Sequence, residues 1–166
     1  MSPTRRDFLA TSTAAGVAGV FGRPSLSFGW QGQEAQPVFT AIRRNVGFFT
    51  MRGGTVGYLV DPAAIVVVDS QYPAEAQALL SGLGERSGGR PVDCLINTHH
   101  HGDHTGGNVA FRGIARSVVA HVKAAEHMRQ PPGGQPPADQ LFPDTTFAEA
   151  WSADVGDERV VARHYG

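Results

Sequence analysis

The sequence predicts a mixed α/β fold, a mostly mixed or antiparallel sheet with flanking helices. Segments rich in β-branched and aromatic residues follow one another between Val38 and Val60, punctuated by Gly and Pro turns. The continuous run Ala64-Ile65-Val66-Val67-Val68 then reads as a strand buried on both faces. A helical pattern separates this run from a further apolar strand, as expected where strands and helices share one sheet.

In chain order, Val38-Phe39-Thr40 and Asn45 to Met51 are strands, Gly53-Gly54 turns the chain, and Thr55 to Val60 returns. Asp61-Pro62 makes the next turn before the buried run, which ends at Asp69-Ser70. Pro73 stands at a favourable first helical position for Ala74 to Leu80, and Ser87-Gly88-Gly89-Arg90-Pro91 ends that helix. Val92 to Asn97 is a strand, Val109-Ala110-Phe111 a short helix, Arg116 to Ala120 a strand and Val122 to Arg129 a helix. The Pro-rich stretch from Gln130 to Pro143 is an irregular loop, placed to act as a flap. The tail from Thr145 to His164 reads as a hairpin turning at Gly156-Asp157. This layout puts the site at an edge of the sheet.

Between the strand at 92–97 and the short helix lies His99-His100-His101-Gly102-Asp103-His104. Packing has no use for so many imidazoles beside a carboxylate, whereas neutral imidazole and carboxylate are the ligands of Zn²⁺, with iron or manganese as alternatives. In extended backbone, side chains at i and i+2 point the same way, so His99 and His101 can share one ion while His100 points elsewhere. Gly102 permits a bend, after which Asp103 and His104 face a second position nearby. A loop at the carboxyl end of a buried strand is also where open α/β sheets place ligands.

His99-x-His101-x-Asp103-His104, preceded by Thr98 and followed by Thr105-Gly106-Gly107-Asn108, resembles the signature loop of the metallo-β-lactamase superfamily. The resemblance implies the N-terminal half of a four-layer αββα sandwich over residues 38–166, a domain truncated at its C-terminus. It implies that His99 and His101 bind a first metal, that Asp103 and His104 bind a second, and that Asp103 orients the nucleophile as the catalytic residue. It also makes Asp69 a group that supports the ligands by hydrogen bonding, against the plainer reading of a turn or helix-cap aspartate. The implied function is a zinc-dependent hydrolase, with one or two Zn²⁺ ions, acting through a metal-activated water on a small-molecule ester, thioester, lactam or similar bond. The alternatives are a catalytically incomplete metal-binding fragment and an iron-containing redox member of the superfamily. A third ligand for the first metal is not present in the loop, and His164 is a weak substitute. A half-sandwich would also leave the face of the 64–68 strand bare and prone to association.

Composition bounds the partners. With 41% hydrophobic and 17% charged residues, the 166-residue chain is of ordinary globular character and about one domain in length. A formal net charge of −1, with no basic stripe, excludes nucleic acid as the expected partner. Arg5-Arg6 followed by Phe8-Leu9 and an Ala/Gly-rich run resembles a twin-arginine signal peptide over residues 1–27, with a polar linker over 28–37. The run is too weakly apolar to be a stable membrane anchor. The expected partners are therefore a small-molecule substrate and the twin-arginine export machinery, and the expected location is periplasmic or secreted. Loss of Arg5, Arg6, Arg23 and Asp7 with the signal takes the net charge from −1 to −3. Cys94 has no second cysteine to pair with and reads as a small buried side chain.

Overall fold

A computed structural model describes residues 35–166, and the signal-peptide expectation lies outside the described residues. Strands β1 (Val38–Arg43), β2 (Val46–Met51), β3 (Gly54–Val60) and β4 (Ile65–Val68) form an antiparallel meander. The β2–β3 connection is the two-residue turn Arg52-Gly53, with both φ angles positive at 50° and 81°. That is the mirror-image turn whose twist suits a hairpin, and Gly53 adopts it without steric cost.

Helix α1 (Pro73–Ser87) has Pro at its start and closes on Gly88 in the left-handed conformation. It carries the chain across to β5 (Val92–Asn97), which pairs parallel to β4. The short helix α2 (Gly102–Thr105) and a 3-10 helix (Gly106–Phe111) precede β6 (Ala115–His121), which is parallel to β5. Helix α3 (Val122–Arg129) follows directly, then β7 (Thr145–Phe147), which is parallel to β6. The sheet order is β1-β2-β3-β4-β5-β6-β7, and β8 (Ala150–Val155) and β9 (Glu158–Arg163) form a separate hairpin.

Several expectations need correction. The 145–164 segment is not one hairpin, because Thr145–Phe147 joins the main sheet and only 150–163 turn back on themselves. The site does not lie beside an outer strand, since β4 and β5 are interior to the sheet. The sheet face opposite the helices is not bare either. Leu59, Val66, Cys94, Ile96 and Val119 pack beneath Val155 of the β8–β9 hairpin, while Phe49, Ile65, Leu79, Leu95 and Phe111 form the core on the helical side. The Pro-rich loop is pinned at its far end, where Arg112 donates to the Asp139 carbonyl and Arg129 to the Pro143 carbonyl. Burial of Cys94 pushes its thiol up to about 12, with the charges of Asp144 and Asp93 adding to the effect. Among the described residues no helix is long and apolar enough to cross a membrane.

Candidate metal centre

The carboxyl ends of β4 and β5 lie side by side in parallel register, Val68 opposite Ile96, so Asp69 and Thr98 emerge at the same level. Asp69 is 5% exposed and adopts φ +67°, a left-handed conformation that aspartate tolerates better than most residues. Its backbone N–H donates to the Ile96 carbonyl, and Oδ1 accepts the Thr98 N–H at 2.8 Å. The second oxygen, Oδ2, accepts the Thr98 hydroxyl at 2.7 Å and lies 2.8 Å from His104 Nδ1. Asp69 caps no helix, because the N-cap of α1 is Tyr72.

These contacts determine the proton positions of two imidazoles. An ionised carboxylate only accepts, so His104 Nδ1 donates to Asp69, and in the neutral ring Nε2 carries the lone pair. The Thr98 hydroxyl hydrogen is engaged by Asp69, so its oxygen can only accept from His99 Nδ1 at 3.1 Å. His99 Nε2 then carries a lone pair, which accepts from the His101 Nδ1–H. It faces His101 Nδ1 at 3.2 Å, and the His99 and His104 ring centroids are 4.0 Å apart. Burial, followed by the neighbouring His104 and His101 rings, holds the His99 pKa below the ordinary histidine value despite opposing effects of Asp69 and Asp103. Neutral imidazole is the ligating form.

The donors come in pairs. Two nitrogens bound to one tetrahedral zinc at about 2.0–2.1 Å stand about 3.3 Å apart, close to the 3.2 Å between His99 Nε2 and His101 Nδ1. His104 Nε2 and Asp103 Oδ2 are 3.5 Å apart, a comparable spacing. The donor types and both spacings fit zinc. As they stand, no three His, Cys, Asp or Glu side chains among the described residues are grouped so that they could hold an ion. The third member for either pair would have to be supplied by movement, water or further chain.

The remaining histidines share no hydrogen bond with these pairs. The His100 ring packs edge-on against that of His101 at 4.6 Å and lies 4.7 Å from that of His127 on α3. His121 is structural: Nδ1 accepts from the Lys123 N–H at the start of α3 and Nε2 donates to the Ala148 carbonyl. His164 stacks on His121 with ring centroids 3.9 Å apart. Gly102 needs no special freedom, having an ordinary φ and open space where a Cβ would be. Gly107 is the demanding position, because a Cβ there would collide with the Ser70 carbonyl.

A buried polar network under the loop was not foreseen from the sequence. Asn108, fully buried, exchanges amide hydrogen bonds with Asn97 at 2.8 and 3.0 Å, accepts from Ser70 Oγ and donates to the Leu141 carbonyl. Ser70 N–H also donates to the His104 carbonyl, which lies 3.1 Å from the hydroxyl. The signal was present as polar residues set among apolar ones, but their partners are distant in sequence.

The family model of the metallo-beta-lactamase superfamily matches residues 50–164. Among curated proteins, the mitochondrial hydroxyacylglutathione hydrolase of Saccharomyces cerevisiae is 35% identical over 57 residues, 34% of this chain and 16% of that protein. Among solved structures, MEM-A1, a subclass B3 metallo-beta-lactamase from a soil metagenome library, superposes with a TM-score of 0.66 at 22% identity, covering 79% of this chain and 53% of its own. MIM-1 from Novosphingobium pentaromativorans gives 0.64 at 18%, with 82% and 55% covered. At these identities the structural matches show the fold, and this chain spans about half the length of those enzymes. With the family model covering more than half of its length, on a fold and a histidine loop of the matching kind, the chain belongs to the metallo-beta-lactamase superfamily.

Proposed function

We propose that this protein is a zinc-dependent hydrolase acting on an ester, thioester, lactam or similar bond of a small molecule. The observation that carries the reading is the 3.2 Å approach of His99 Nε2 to His101 Nδ1, with the His104–Asp103 pair beside it. His99 and His101 would hold one ion, and Asp103 and His104 a second. Asp69 holds His104 directly and His99 through Thr98, so each ligand keeps its lone pair aimed inward. Asp103, 59% exposed at its side chain, is placed to orient the attacking water. A zinc ion bound there supplies a Lewis acid and lowers the pKa of its water from about 16 to about 7.

Thioesters and lactams both belong in the assay, since the relatives include a hydroxyacylglutathione hydrolase and metallo-beta-lactamases. Purified full chain should hydrolyse nitrocefin or an acylglutathione thioester with zinc, and lose turnover with a chelator or in His101→Ala. Turnover that survives both treatments contradicts the reading. A second reading, metal binding without turnover, is favoured by the absence of a third donor beside either pair among the described residues. It predicts bound zinc and no hydrolysis of any substrate, while iron in place of zinc by elemental analysis would point to a redox member. Export through the twin-arginine pathway is proposed from Arg5-Arg6 and the run that follows. Fusion of residues 1–30 to a reporter should direct it to the periplasm, and a lysine pair in place of Arg5-Arg6 should stop this; retention of the unaltered fusion in the cytoplasm contradicts it.

A further inference from the structure

The foot of the Pro-rich loop is tied to the histidine loop. Pro137 to Gln140 form a turn in which the Gln140 N–H donates to the Pro137 carbonyl at 3.0 Å, and Pro136-Pro137 restrict the backbone that leads into it. Arg112 Nη2 donates to the Asp139 carbonyl at 2.8 Å and to that of Gln140 at 3.4 Å. The Gln140 side chain then reaches out of its own loop, with Nε2 donating to the Thr105 carbonyl at 3.1 Å and to the Leu141 carbonyl at 3.2 Å. Both neighbours of the amide are carbonyls, so its NH₂ end must face them. Gln140 is thus held at its N–H, its carbonyl and its amide, groups that a surface loop ordinarily leaves to water. We propose that Gln140 is a positioning residue for the metal-ligand loop, acting through Thr105 to set how His101 and His104 stand relative to each other. The inference rests on the proposed function for calling these histidines ligands, and it makes the foot of the Pro-rich loop a fixed support of the site where the sequence suggested a flap.

Thr105 is built to carry such an effect. It is buried, follows His104 directly, and donates to the His101 carbonyl through both its N–H and its hydroxyl, each at 3.0 Å. One residue therefore joins the two donor pairs through main chain. Among the described residues the His101 ring bonds only to His99, so the backbone is where its position is set. Thr105 itself has φ −121° and ψ −11°, outside helical geometry, and marks the joint between α2 and the 3-10 helix. A joint of two short helices is not stiffened by a continuous hydrogen-bond ladder and needs a hold from outside. Gln140 supplies it from 35 positions away. The hold has a second foot, because the Leu141 carbonyl accepts from both Gln140 and Asn108, the residue that anchors the 3-10 helix to Asn97 and Ser70. Metal ligands must be kept within about 0.5 Å of their working geometry, which is the precision that supporting hydrogen bonds of this kind provide.

The test compares Gln140→Met and Gln140→Glu with wild type in the full chain. Methionine keeps the length and packing of glutamine without a donor, and glutamate keeps its shape but turns only acceptors toward two carbonyls. In metal-free protein, amide hydrogen exchange at His104 and Thr105, whose N–H groups bond to the His101 carbonyl, should quicken about fivefold or more in both variants. Exchange in β5 should stay within about twofold of wild type. In cobalt-loaded protein the d–d absorption bands should change in position or intensity, and zinc affinity, read by competition with a chelator, should fall about two- to tenfold. Unchanged exchange at His104 and Thr105 in Gln140→Met would overturn the proposal, since the amide would then have no hold on the loop. An equal rise throughout β5 would also overturn it, by assigning Gln140 to general stability, as would a cobalt spectrum identical to that of wild type. A wild type that takes up neither zinc nor cobalt would remove the hydrolase reading and leave the exchange measurement to decide, without any metal, whether Gln140 positions the loop.

Discussion

The two donor pairs differ in how firmly they are held. His104 sits on α2, its Nδ1 bonded straight to a buried carboxylate and its carbonyl tied to Ser70. His99 is held at one remove, through the hydroxyl of Thr98, and among the described residues the His101 ring bonds only to His99. The difference teaches that fixing a ligand requires a second residue from another strand, and that the β4 end provides it for one pair directly and for the other by relay. The His104–Asp103 side should therefore form a metal position of defined geometry even in this chain, while the His99–His101 side depends more on whatever third donor joins it.

The substitution that should separate the pairs most is Asp69→Asn. Asparagine keeps the shape and tolerates the left-handed φ, but loses the charge that both imidazoles lean on. Zinc affinity should fall about 10- to 100-fold at the tighter position, measured by competition with a chromophoric chelator. An unchanged affinity would mean that Asp69 is only a turn residue. Next in size, Asn108→Ala strands buried partners on Asn97 and Ser70 and should cost about 1–3 kcal/mol of stability in urea unfolding. A loss well under 1 kcal/mol would show that water replaces the amide. Thr98→Val removes the hydroxyl between Asp69 and His99 and leaves the direct Asp69–His104 bond in place, so it should weaken zinc about two- to tenfold, chiefly at the His99 position. Equal weakening at both positions would erase the distinction drawn above.

The smallest effect concerns the hairpin that covers the sheet. The hydrogen bond from Arg43 to Glu158, 2.6 Å, holds the Glu158 carboxyl below its ordinary value, with Arg43 and Arg44 charges adding and burial opposing. A carboxyl with a lower pKa folded than unfolded contributes stability at neutral pH and loses it as pH falls through the folded value. Glu158→Gln should therefore flatten part of the decline in stability between about pH 6 and pH 3, and only at low salt. The same slope in wild type and variant would show that the pair adds nothing to docking of the hairpin.

Much of this was legible in the residues themselves. The run at 64–68 is a buried strand because its β-branched side chains suit no other place, and Pro73 and Gly88 bracket α1 as their backbone preferences require. The loop at 99–104 stood out because its residue types have little use apart from metals. Pairing was less legible. Thr145–Phe147 is only three residues long, and nothing local says that it lies parallel to β6. The bond between Asp69 and His104 spans 35 positions and exists only because β4 and β5 are neighbours. The bond from Gln140 to Thr105 was likewise invisible, since its partners are just as far apart in sequence.

The account is tested most directly by the metal content of the purified full chain. Elemental analysis after exhaustive dialysis should find zinc at one or two ions per chain, reduced in His104→Ala and again in His99→Ala combined with His101→Ala. Zinc at background in the wild type, or undiminished in the histidine variants, would contradict the assignment of these side chains as a metal centre.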